Sequence, residues 1–277
     1  MKPIETLSLF EDLNQELIYF LADLQPNEWL LPSPINGRTV KDLASHLVDG
    51  SLRRISMQRD HFFEQSENDL SYLPDLINHV QTLNQQWIIA TRRLSPRILV
   101  EILKKYEQEV FELYSRLKSD DEALFPVAWA YQDRSLNWFD IARDYTEKWH
   151  HQMQMRMAVN QPLLMSERFL TPVYETFLLA LPAHLDRKAS DYRDHLLEVE
   201  ITGEIRMRFS FINKSSQWSS IENNNVNFDT RITIPASVGW ILFTNTDLEK
   251  EKYIHQITIT GNQELAMAVL SLTTVLS

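Results

Sequence analysis

Apolar side chains recur at steps of three and four over four long stretches of the chain, the spacing that turns one helix face toward a core. The first covers about residues 6–24, with Leu7, Phe10, Leu13, Leu17, Phe20, Leu21 and Leu24 in phase. The second covers about 39–64, where Thr39 stands as a cap before Val40, Leu43 and Leu47. The third, 95–118, opens on Ser95-Pro96, a capping hydroxyl followed by proline at the first helical position. The fourth covers 135–160, and a weaker helical pattern lies at 73–93. Four long helices joined by loops predict an antiparallel four-helix bundle. The scarcity of glycine fits, since only Gly37 and Gly50 fall in the first 200 residues.

After Asn160-Gln161-Pro162 the pattern changes. One more helix is expected at 167–181, stopped by Pro182. From His195 the period drops to two, with Val199 and Ile201, then Ile205, Met207, Phe209 and Phe211, alternating against polar neighbours. Further strands are expected at 230–234 and 254–260, turn chemistry at 213–217 and 222–227, and a closing helix at 262–276. The chain therefore reads as multidomain: an all-α bundle over residues 1–163, then a small α+β domain with an antiparallel sheet over 164–277.

Composition narrows the chemistry. The 277 residues include no cysteine, which removes disulfides, thiolate ligands and a cysteine nucleophile together. Any metal must be held by nitrogen and oxygen, and any thiol must come from a small molecule. The net charge of −11 is shared between both halves, so neither is a basic platform and nucleic acid is not an expected partner. No stretch is apolar enough to span a membrane, and the N-terminal residues pass directly into amphipathic helix rather than a secretory signal. A cytoplasmic location is the expectation. Phosphate loops, GxSxG elbows and HExxH motifs are absent from the sequence.

Within the fourth helix, Asp140, Asp144, Glu147, His151, Gln154 and Ala158 recur at steps of four and three and so share one stripe. Glu147 and His151 project side by side and could grip one ion. His150 is rotated by roughly 100° and reads as a bystander. From spacing alone the stripe is either a solvated face or part of an ion clamp. In the second helix His46 lies between Leu43 and Leu47, at the edge of an apolar stripe. It is either a core histidine bonded to a carbonyl or a further ligand, and Asp42 and Asp49 either orient its other ring nitrogen or lie on the flank in water.

These residues carry a resemblance. Trp29, Pro32 and the run Gly37–Leu47 (GRTVKDLASHL) resemble the helix-two signature of the DinB-like four-helix-bundle superfamily, and Glu147, His151 and Gln154 resemble its helix-four signature. The glutamate is similar to that of the mycothiol-dependent maleylpyruvate isomerase branch. The C-terminal half resembles that branch's sterol-carrier-like (SCP2-like) domain, whose strand–Gly–helix close is matched by ITITGNQELAMAVLSL, residues 257–272. The resemblance implies a metal triad of His46, Glu147 and His151. Two imidazoles and a carboxylate suit zinc first and nickel second, and leave a position open. It departs at Arg38, where the family carries tryptophan, and at residues 240–250 (WILFTNTDLEK), which lack the arginine of the isomerase branch before the last strand. Maleylpyruvate itself is therefore not the expected substrate.

The implied activity is a divalent-metal-dependent enzyme that activates a low-molecular-weight thiol for S-transfer or isomerisation of a small-molecule substrate. No side chain is assigned a catalytic role beyond holding the ion. Arg53 and Gln154 are the candidate substrate contacts, while Arg54 and Arg143 read as solvated charges. Trp29, Trp138 and Trp149 read as core. The alternatives are a metal-dependent hydrolase, in which the ion activates water, and a non-catalytic small-molecule or lipid-binding module. Exposed helix faces leave room for a homodimer.

Overall fold

The computed structural model describes residues 2–63, 73–222, 226–244, 246–247 and 249–275, with side chains omitted at 73–77. The chain forms two compact units. Of the described residues, one holds those up to 126 together with 134–164, and the other holds 127–133 and those from 165 to 275.

The first unit contains α1 (Phe10–Asp23), α2 (Val40–Arg54), α3 (Leu73–Thr91), α4 (Pro96–Ser115) and α5 (Asn137–Ala158). Helices α1, α4, α2 and α5 pack in a closed ring, and α3 lies against α2. This is the expected bundle, held by a core that includes Leu17, Leu21, Leu43, Leu47, Leu99, Leu103 and Met155. Both predicted caps form. The Thr39 hydroxyl accepts from the Asp42 amide while the Asp42 carboxylate accepts from the Thr39 amide, a reciprocal capping box. Ser95 caps α4 ahead of Pro96, whose missing N–H is one the helix start would not use. Two helices are shorter than predicted. A 3₁₀ turn at Leu7–Leu9 precedes α1, and α2 passes into a π turn at Ile55–Arg59. The predicted end of the second helix, residue 64, lies outside the described residues.

The second unit opens with α6 (Glu167–Leu178) and α7 (Leu181–Lys188). Pro182 sits in the first turn of α7, so the proline expected only to stop a helix also starts one. Strands β1 (Leu196–Thr202), β2 (Met207–Lys214), β3 (Gln217–Ile221), β4 (Thr230–Pro235) and β5 (Thr258–Thr260) make one sheet in the order β3-β2-β1-β4-β5. The sheet is mixed rather than antiparallel. The β1–β2, β2–β3 and β4–β5 pairs are antiparallel, but β1 pairs with β4 in parallel, Val199 opposite Ile232. After two reversals β3 runs in the direction of β1. The chain then crosses to the far side of β1 and enters β4 in that same direction, which no local sequence pattern announces. Helices α8 (Ala236–Leu242), α9 (Glu251–Ile254) and α10 (Gln263–Leu270) complete the unit. Between β5 and α10, Gly261 has φ +96° and a Cβ there would lie 2.0 Å from the Asp229 carbonyl oxygen, so only glycine fits. Asn262 then caps α10 through the Leu265 amide.

Among the described residues no helix is long and apolar enough to cross a membrane.

Candidate metal centre

Helix α5 is buried on almost every side, and its polar stripe points into the bundle. Glu147 and His151, one turn apart, meet there: His151 Nε2 lies 3.1 Å from Glu147 Oε1. From α2, His46 Nε2 reaches the same oxygen at 3.2 Å. The two imidazole rings stand edge to face with centroids 4.8 Å apart. One ligand atom from each of the three side chains lies within 4.8 Å of the other two. For a tetrahedral ion with bonds of about 2.0–2.1 Å, neighbouring ligand atoms stand roughly 3.3–3.4 Å apart. The two histidine-to-glutamate separations are close to that spacing.

The hydrogen bonds around His151 bear on what lies between these atoms. Its Nδ1 is 2.8 Å from Gln154 Oε1, an acceptor, so Nδ1 carries the hydrogen. The same amide turns its Nε2 to His150 Nε2 at 2.9 Å, so that ring nitrogen is the acceptor. In that tautomer His151 Nε2 presents a lone pair to a carboxylate oxygen 3.1 Å away, an arrangement that a cation between them reconciles. Burial draws the His46 imidazole below its ordinary value despite the opposing pull of Glu147, so this ring favours the neutral form that ligates metals. Burial alone would raise the Glu147 carboxyl, yet attraction from His151 and His46 holds it well below the usual carboxylate range. The donor set thus fits a borderline divalent ion: two imidazole nitrogens, one carboxylate oxygen, and a ring oriented by Gln154.

The site opens onto a cavity of about 330 Å³ lined by His46 and His151, by Leu43 and Ile88, and by residues of α3 and of the loop before α2. Helix α3 is tied to α2 at this point. Trp87 Nε1 donates to the Ser45 carbonyl at 2.8 Å, and the Arg92 guanidinium donates to Asp42 at 3.1 Å.

Other expected site residues fall elsewhere. Gln154, expected at the substrate, is fully buried and holds His151 and His150, so it positions a ring instead. Its spacing of three and four from those histidines was the available signal. His150 meets the triad through Gln154 and through the His151 ring, whose centroid lies 5.1 Å away, and burial, with His151 adding, pushes it down to about 3. Arg53 is partly exposed, with Nε 3.0 Å from Asp49 and Nη2 donating to Asn84, a residue of the cavity wall. Arg54 and Arg143 are not solvated charges. Arg54 forks onto both Asp140 oxygens at 2.7 and 3.0 Å, 5% exposed, and lies over the Phe125 ring; Arg143 donates to Asp140 Oδ1 at 2.9 Å. Asp140, from the α5 stripe, draws both arginines inward. Two turns on from Asp140, Lys148 is buried against Glu107 and Ser51. Trp29, Trp138 and Trp149 are buried, as expected.

No family model and no curated protein matches the sequence. Among solved structures, the fold is shared with the mycothiol-dependent maleylpyruvate isomerase, at TM-score 0.53 and 12% identity over 87% of this chain and 91% of that one. A histidine-to-alanine mutant of that isomerase matches at TM-score 0.52 and 11% identity, with the same coverage. A UbiJ-SCP2 ubiquinone synthesis protein aligns with 35% of this chain at TM-score 0.26, too low to establish a common fold. At these identities the likeness extends to the fold and not to the reaction.

Proposed function

We propose that the protein is a divalent-metal-dependent enzyme whose ion is held by His46, Glu147 and His151, with zinc the first expectation and nickel the second. The observation that carries this reading is the convergence of His46 Nε2 and His151 Nε2 on one oxygen of Glu147, at 3.2 and 3.1 Å, inside a bundle. Three protein ligands are one fewer than a closed structural site uses, so a bound ion would keep a position for a small ligand and act there as a Lewis acid toward a thiol or water. The protein's own groups do the rest. Glu147 supplies the negative charge, His46 and His151 present imidazole nitrogens, and Gln154 holds the His151 ring through its Nδ1. The cavity beside them admits a small molecule and keeps it between α2 and α3.

Of the possible co-reactants, a low-molecular-weight thiol is favoured. The isomerase that shares this fold is described as mycothiol-dependent, and the chain itself has no cysteine to supply sulfur. The reaction would then be S-transfer or a thiol-assisted isomerisation of an electrophilic small molecule. A metal-dependent hydrolase would use the same ligands without thiol. The test is turnover of an activated electrophile by zinc-loaded protein with and without added thiol. A thiol-dependent rate that His46→Ala abolishes while the fold persists supports the reading. Ester hydrolysis indifferent to thiol supports the hydrolase instead.

A further inference from the structure

The wall of the cavity beside the triad is chemically uneven. Leu43 and Ile88 are apolar, and Asn36, Gln81, Asn84 and Gln85 contribute carboxamides, which are neutral. Among the described residues, the one lining residue whose side chain is always charged is Arg38. Its backbone is fixed. Arg38 N–H donates to the Ile35 carbonyl, the Ser33 amide donates to the Arg38 carbonyl, and Val40 N–H donates to Leu31, closing the loop just before α2. Gly37, at φ +74°, makes the turn that delivers it.

Arg38 is also uncommitted. Among the described residues its guanidinium makes no hydrogen bond and no ion pair, whereas the neighbouring cations are engaged: Arg92 on Asp42, Arg53 on Asp49 and Asn84. Asp42, the acid nearest to hand, already accepts from Arg92 and from the Thr39 amide. Arg38, Arg92 and Asp42 together leave one positive charge at this wall. Partial burial lowers the Arg38 guanidinium from its ordinary value, Asp42 opposing and Arg92 assisting, so an anion brought there would relieve an electrostatic cost.

The geometry points to Arg38 as the specificity residue of this site, binding the carboxylate of a small, polar, anionic ligand whose other end reaches the His46–His151 side of the cavity. A guanidinium is suited to a carboxylate because it offers paired parallel donors. The carboxamides suit a ligand body carrying hydroxyl or amide groups. A cavity of about 330 Å³ lies at the small end of the range for such sites, roughly 300–1,000 Å³, so the ligand is a compact one.

This inference rests on the metal reading above, and the test separates the two. Protein loaded with cobalt(II) is titrated with 3-mercaptopropionate and with 3-mercaptopropanol, which differ only in a carboxylate against a hydroxymethyl group, and binding is followed by the cobalt absorption spectrum. The wild type is expected to favour mercaptopropionate by about tenfold or more, the usual worth of a charged hydrogen bond. Arg38→Gln is expected to lose that preference while keeping its cobalt spectrum and its affinity for mercaptopropanol, and Arg38→Lys to retain part of it. Equal binding of the two thiols by the wild type, a preference that survives Arg38→Gln, or failure of the cobalt protein to bind either thiol overturns the assignment of Arg38. Failure of the wild type to bind cobalt at all overturns the metal reading, and this one with it.

Discussion

Glu147 Oε1 lies 3.2 Å from His46 Nε2, a contact between residues 101 positions apart in the chain. The same oxygen lies 3.1 Å from His151 Nε2, one turn along its own helix. A half-buried carboxylate facing two imidazoles, one of them held by Gln154, is the centre of the account.

Gln154 is expected to act on the ion through His151. Gln154→Leu removes the acceptor for Nδ1 while roughly keeping side-chain volume, and loss of such an orienting partner typically weakens metal affinity about 10–100-fold. Competition against a chromophoric chelator reads the affinity, and circular dichroism checks the fold. An unchanged affinity would show that the ring needs no such support.

The pair of Arg54 and Asp140 is expected to hold the bundle rather than the ligand. Both side chains are at most 5% exposed, and truncating one member of a buried pair strands the other. Asp140→Ala, which leaves Arg54 and Arg143 facing each other, is expected to cost about 3–5 kcal/mol in urea denaturation. Any fraction that stays folded should still bind metal.

Acid should weaken the fold through the same carboxylate. Burial acts to raise the Asp140 carboxyl, but Arg54 and Arg143 outweigh it and hold it below its ordinary value. For a depressed folded-state pKa, the stabilisation is complete above the unfolded value of about 3.9 and is lost as pH falls through the lower folded value. Unfolding free energy measured from neutral pH downward should therefore fall more steeply below about pH 4 in the wild type than in Asp140→Asn. Parallel curves would remove Asp140 from the acid response.

What the sequence made legible was local. The Leu stripes, the Thr39 cap and the Ser95-Pro96 start all depend on residues within a turn of each other, and each stands where the spacing put it, whereas the role of Asp42 as the other half of the Thr39 cap was not read. Glu147 and His151 were readable for the same reason. The parallel pairing of β1 with β4 was not, because strand order is decided by a crossing of the chain and not by alternation. Arg54 was misread because its partner lies 86 residues away, and an arginine at a helix end reads as solvated until that acid is brought to it. Helix α8 escaped notice because an apolar run of seven residues, buried almost all round, has no polar face to set its period. The cavity at Arg38 needed four segments in place, the loop, α2, α3 and α5, before it existed at all.

The most direct measurement is elemental analysis of protein purified without added metal, alongside His46→Ala, Glu147→Ala and His151→Ala. The account predicts close to one equivalent of a divalent transition metal in the wild type, and its loss in each variant with the helical signal retained. A wild type that carries no metal and takes up neither zinc nor nickel when supplied, or a His46→Ala protein that holds the ion as tightly as its parent, would contradict it.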